Sequence, residues 1–239
     1  MQSGALRLFK FAGIQVSLHF SWFLMAVYMV SRPHGYHSPI FAVYEYLGLF
    51  CIVLLHEFGH AFACRQTGGI ADYILLWPFG GFAFVQPPLR AGAQLWSIAA
   101  GPLVNVALIP IFLLLGFLQP QLEVSAPDFS RLIGQVGQIN LLLLIFNLLP
   151  IYPLDGGQIL RSLLWFPLGR ITSLQIASAI GLAGSALLGI YGLVDGSLWL
   201  AFLAFFLVSQ AFAGWKHARL LRVEEESLVR QEATRPPVL

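Results

Sequence analysis

The chain has 239 residues, of which 58% are hydrophobic and only 10% charged, and its mean hydropathy is +0.78. A soluble domain of this length needs far more charge on its surface, and a net charge of +2 is too small to recruit nucleic acid. The apolar residues fall into runs that approach or exceed the roughly 20 residues needed to cross hydrocarbon. The sequence therefore describes an all-α polytopic membrane protein.

Six runs are expected to span, at about 16–31, 42–64, 93–118, 132–150, 172–194 and 197–215. The first follows the basic residues Arg7 and Lys10, but it is interrupted by His19 and lacks a small-residue cleavage site before Arg32, so it reads as a helix of the mature chain. After the second run, Gly68-Gly69 ends a helix, and the residues from Asp72 to Gln86 read as two short strands about Gly80-Gly81. A small β element is thus expected between helices two and three, at the membrane surface. The segment 119–131 and the charged tail 216–239 are too short to fold alone, which leaves 1–215 as one six-helix core.

Lys and Arg are retained on the cytoplasmic side of a membrane. With both termini cytoplasmic, eleven of the thirteen Lys and Arg residues fall on that side, and only Arg32 and Arg131 fall outside. The loops after helices two and four then share the cytoplasmic face. Cys51 and Cys64 lie on one expected helix, about 20 Å apart at the α-helical rise, too far to bridge.

His56-Glu57-Phe58-Gly59-His60 sits near the end of the second run. Histidines at i and i+4 project from one helix face and can share a metal ion, for which two neutral imidazoles are good zinc ligands. Glu57, beside the first histidine, is placed to take a proton from water activated by that metal. An ionisable cluster inside an apolar span is costly unless it is buried against partners, so it needs a reason to exist.

A catalytic zinc takes three protein ligands and keeps one position open. The strongest candidate for the third ligand lies in Asn147-Leu-Leu-Pro-Ile-Tyr-Pro-Leu-Asp155-Gly156-Gly157, at the cytoplasmic end of helix four. Pro150 and Pro153 prevent regular helix and Gly156-Gly157 permit a tight turn that would bring Asp155 back into the bundle. The alternative is that Asp155 caps a helix beginning near Gly157. Cys64 continues the face of His56 and His60 but reads as a small apolar filler, and His19 as a polar packing contact. His34, His37 and His217 fall in loops or the tail, and Gly101, Gly134 and Gly137 read as points of close helix approach.

His56-Glu-Phe-Gly-His60, Ala100-Gly101-Pro102-x-x-Asn105 and Asn147-x-x-Pro150 with Asp155-Gly156, taken in this order, resemble the site-2 protease family of intramembrane zinc metalloproteases. The resemblance covers nearly the whole chain. It implies that His56, His60 and Asp155 hold one Zn2+, that Glu57 activates water, and that Asn147 orients substrate or stabilises the oxyanion. It also implies that the sheet near 70–88 pairs with an extended transmembrane substrate, with Asn105, Phe79, Gly80 and Gly81 contacting it. Many relatives add a PDZ or CBS domain, for which this chain has no room.

A transporter or metal-ion carrier would use the same ligands, but transporters usually show inverted repeats, and none is found. An inactive chaperone would not need Glu57. Other membrane metalloproteases take a glutamate as third ligand from a following helix, and no glutamate occurs between Glu57 and Glu123.

Overall fold

The computed structural model describes residues 4–32, 35–77 and 80–233. Its elements in chain order are β1 (Ala5–Phe11), β2 (Ile14–His19), α1 (Ser21–Ser31), α2 (Ile40–Gln66), β3 (Ile70–Trp77), β4 (Gly80–Gln86), α3 (Ala91–Ser125), α4 (Pro127–Leu148), α5 (Asp155–Val194) and α6 (Leu198–Ala233). They form two compact units, Met1–Asn147 and Leu148–Leu239. Among the described residues five helices, α2 to α6, are long and apolar enough to cross a membrane, as expected of a multi-pass membrane protein.

The run expected as a first span, 16–31, divides instead into β2 and the eleven-residue α1. Eleven residues rise only about 16 Å, half of a hydrocarbon core of about 30 Å. Ile14, Val16 and Leu18 are buried at the period of two that a strand requires, and that pattern takes the start of the run out of the helix.

In the first unit the four strands form one sheet in the order β1-β2-β3-β4. The β1–β2 hairpin turns on Ala12 and Gly13, both at positive φ (47° and 79°), the backbone that matches the twist of a tight hairpin. β2 runs parallel to β3, and β3 antiparallel to β4. The expected β element between helices two and three is therefore half of a larger sheet.

One face of the sheet packs on α2. Ile14, Val16, Leu18, Ala71, Ile74 and Leu76 join Val53, Phe58, Ala61 and Cys64 in one buried cluster. Among the buried residues of the second half of α2, Val53, His56, Glu57, His60, Ala61 and Cys64 recur at the three- and four-residue spacing of a single helical stripe, with Phe58 and Ala63 buried beside it. The apolar seam that fixes α2 to the sheet thus carries the polar motif within it. The helix ends as the sequence indicates: Gly68, at φ 85°, lets its own N–H reach Arg65 O and the N–H of Gly69 reach Cys64 O, both at 3.0 Å, closing the last carbonyls.

α2 meets α3 at a close crossing, where a Cβ on Gly59 would stand 2.6 Å from the Ala100 carbonyl oxygen. At the opposite end of α2, Glu45 is 1% exposed and accepts from Arg32 Nη2 at 2.8 Å and from the Tyr36 hydroxyl at 2.9 Å. A buried carboxylate is tolerated there because it is paired.

In the second unit α5 begins at Asp155, so Gly156 and Gly157 are helical rather than the expected turn. Their role is close approach: a Cβ on Gly156 would stand 2.3 Å from Leu148 O, and one on Gly157 2.3 Å from Tyr152 N. The chain before α5 folds back against its first turn, which only residues without side chains allow. α6 continues without interruption past residue 215.

Candidate metal centre

The first unit brings two ring nitrogens together. His56 and His60, 4% and 6% exposed, place their Nε2 atoms 3.1 Å apart, with the rings nearly perpendicular at 84°. Two ligands at 2.0–2.1 Å on a tetrahedral ion stand about 3.3 Å from one another, so the spacing fits a shared zinc.

Their other nitrogens fix the tautomers. His60 Nδ1 lies 2.9 Å from the Ser97 carbonyl oxygen, which can only accept, so this nitrogen carries the proton. For His56 the tautomer is fixed through a chain of amides. Asn140 Nδ2 donates to the Asn105 backbone oxygen at 3.0 Å, so Asn140 Oδ1 accepts from Asn105 Nδ2 at 2.8 Å. Asn105 Oδ1 is thereby turned to His56 Nδ1, 2.6 Å away, and that nitrogen must donate. In the neutral pair both Nε2 lone pairs consequently face each other. Such lone pairs repel unless a cation stands between them, and outer hydrogen bonds of this kind are the usual way a protein aims metal-binding histidines.

Space for the ion is built in. A Cβ on Gly101 would stand 2.2 Å from His60 Nε2 and 2.9 Å from His56 Nε2, so the helix α3 passes the two imidazoles at a position where it has no side chain. The donor set, the spacing and this gap together fit zinc.

Glu57 is 5% exposed, and its Oε2 accepts the Ala83 N–H of β4 at 2.9 Å. Ala83 is in register with Ile74 of β3; an N–H spent on Glu57 is not spent on β3, so it lies on the strand's outer edge. β4 ends the sheet, which leaves the carboxylate at an edge where another strand can add.

The other expected site residues are placed as follows. Asp155 opens α5 in the second unit, half-buried in its first turn. Asn147 lies half-buried at the end of α4. Asn105, expected to contact substrate, is fully buried with its amide committed to His56 and Asn140. Gly80 and Gly81 begin β4, and Phe79 and His34 lie outside the described residues. Cys64 is 0% exposed within the apolar cluster, its Sγ 3.5 Å from Ile70 O. His19 Nδ1 lies 2.5 Å from Ser21 Oγ, and His37 pairs with Asp128. Ser97, Ala83 and Asn140 escape the sequence reading. Only Asn140 leaves a signal there, as an amide inside the apolar run 139–146, where an unpaired polar group is costly.

Residues 120–191 match the model of Peptidase family M50, a segment that carries Asn147 and Asp155. Longer alignments include the histidine motif as well. The chain is 32% identical to a zinc metalloprotease of Methanocaldococcus jannaschii over 92% of its own length and 62% of that protein's. It is 29% identical to the stage IV sporulation protein FB of Bacillus subtilis, over 63% of this chain and 49% of that one. Thus the chain spans about three fifths or less of the length of these relatives. In fold it is similar to the solved site-2 protease from Methanocaldococcus jannaschii, with a TM-score of 0.64 and 29% identity, covering 88% of this chain and 95% of that one.

Proposed function

We infer that this chain is a site-2 type zinc metalloprotease that hydrolyses peptide bonds of transmembrane proteins within or beside the bilayer. The observation that carries the reading is the pair of Nε2 lone pairs aimed at one another 3.1 Å apart, one residue from a buried carboxylate. In this reading His56, His60 and Asp155 hold the ion, which leaves one position open. When bound, zinc polarises a carbonyl and brings the pKa of water towards neutrality.

The chain's own residues do the rest. Glu57 takes the proton of the attacking water and is steadied for this by the Ala83 N–H. Asn147 donates its amide to the oxyanion. A transmembrane helix keeps its backbone groups paired internally, so a stretch of substrate must unwind before it can be cut. Adding that stretch as a strand along the free edge of β4 replaces its lost hydrogen bonds and draws it past Glu57. Gly80 and Gly81 open that strand.

Charge bias supports both termini being cytoplasmic, with cleavage near that face. Pairing of β2 with β3 supports the same arrangement, since it puts the N-terminal strands at the end of α2 that carries the histidines. α1 then begins the return passage, a sixth crossing of which its eleven residues cover about half. Residues 1–215 form the catalytic core in this reading, and 216–239 a charged cytoplasmic tail.

The test is cleavage of transmembrane substrates in liposomes by the parent protein and by Glu57→Gln. Glutamine keeps the volume and can still bond water, but it cannot accept the proton. Glu57→Gln is expected to stay folded and zinc-loaded and to cut at least about a hundredfold more slowly. Near-normal cleavage by the metal-replete variant removes Glu57 as the base, and a parent inactive on several substrates favours a transporter instead.

A further inference from the structure

The second unit contains two cations that this reaction does not use. Helix α5 has 40 residues, about 60 Å at the α-helical rise, twice the thickness of a hydrocarbon core. It cannot cross as one rod, and it does not: Gly169, at φ 78° and ψ 171°, breaks it. The part after the break, 170–194, is about 37 Å long and is sufficient to span. The break therefore lies at the end of a span, at the depth of lipid headgroups, with 155–168 as a short helix beside it.

Arg161 and Arg170 flank this break. Arg161 is largely buried, has Tyr152 and then Arg170 as its charged or ionisable neighbours, and sets its guanidinium 5.9 Å from the ring centroid of Trp165. The Nε atoms of both arginines are buried and have no hydrogen-bond partner among the described residues, and neither joins an ion pair there. Two partly desolvated cations whose buried Nε atoms have no partner among the described residues call for an anion. The surroundings state which kind. Leu163, Phe166 and Leu168 are 51%, 62% and 43% exposed, so the cations sit beside an apolar rim that an acidic loop or a free ion would leave in water. A lipid satisfies both, with a phosphate between the guanidinium forks and acyl chains along the rim.

We propose that Arg161 and Arg170 form a binding site for the phosphate of an anionic phospholipid, which anchors the break in α5 at the bilayer surface. Basic residues at the ends of spans recognise anionic headgroups in this way. The site does not depend on the reading of the metal centre.

Native mass spectrometry of the full chain in a neutral detergent, titrated with dioleoylphosphatidylglycerol, dioleoylphosphatidylcholine or inorganic phosphate, tests it. The parent is expected to take one phosphatidylglycerol in preference to phosphatidylcholine. Arg161→Gln and Arg170→Gln should each weaken that adduct about fivefold, and together more than either alone. The doubly substituted Arg161→Lys, Arg170→Lys protein should retain the preference in part, which separates loss of charge from loss of fold should the glutamine variants aggregate. Arg222→Gln, on exposed α6, should bind as the parent does. A parent without preference, a double glutamine variant that keeps it, a control that loses it equally, or displacement of the lipid by inorganic phosphate would each overturn the proposal.

Discussion

Gly101 and His60 meet so closely that a methyl group on Gly101 would stand 2.2 Å from His60 Nε2. No rotation of the methyl avoids this, because the Cβ position is set by the backbone of α3. Gly101→Ala is therefore expected to push the imidazoles apart and to bring zinc from about one per chain to a small fraction of that, measured by metal analysis of the monodisperse protein. Gly116→Ala on the same helix meets nothing within 4 Å and should leave zinc content unchanged. Equal zinc in both variants would mean that the gap at Gly101 does not serve the ion.

Asn105 aims His56, and Asn140 aims Asn105. Asn105→Ala leaves the His56 ring without its acceptor, and a lost outer hydrogen bond of this kind weakens metal binding about 10- to 100-fold. Asn140→Ala should act in the same direction and more weakly, since the Asn105 amide then loses the contact that fixes which end faces His56. Competition with a chelator of known affinity reads both effects. An unchanged zinc affinity in Asn105→Ala would make the amide chain a packing device only.

Asp155 and Cys64 separate the three-ligand reading from its nearest rival. Asp155→Ala is expected to lose zinc, as is His56→Ala, whereas Cys64→Ser should keep it, because the Cys64 thiol is committed to the apolar cluster and the Ile70 carbonyl. Full occupancy in Asp155→Ala would exclude that carboxylate from the ion.

Orientation is checked with reporters. A reporter fused after Leu239 should be cytoplasmic, and one inserted near Ser125, where α3 ends, should be external, as the clustering of Lys and Arg requires. Finding both on one side would break the count of crossings.

Membrane class, the helix that holds the histidines and the candidacy of His56, Glu57 and His60 were all legible in the sequence. Each rests on short-range regularities, namely hydropathy over about 20 residues and the i, i+4 periodicity of one helix. The end of α2 at Gly68 was legible for the same reason. Three features were decided by tertiary structure alone. β1 and β2 join the sheet through pairing of β2 with β3, more than fifty residues away, and their apolar residues had read as the start of a span because composition does not show a strand's partner. Asn105, expected from the resemblance to contact substrate, faces His56 as an acceptor because Asn140, 35 residues further on, holds its amide in place. Glu57 meets Ala83 across 26 residues because the stripe that buries the carboxylate also packs α2 against the sheet. A sequence shows which residues can share a helix face; which groups meet across separate elements follows from packing, where burial forces each polar group to find a partner.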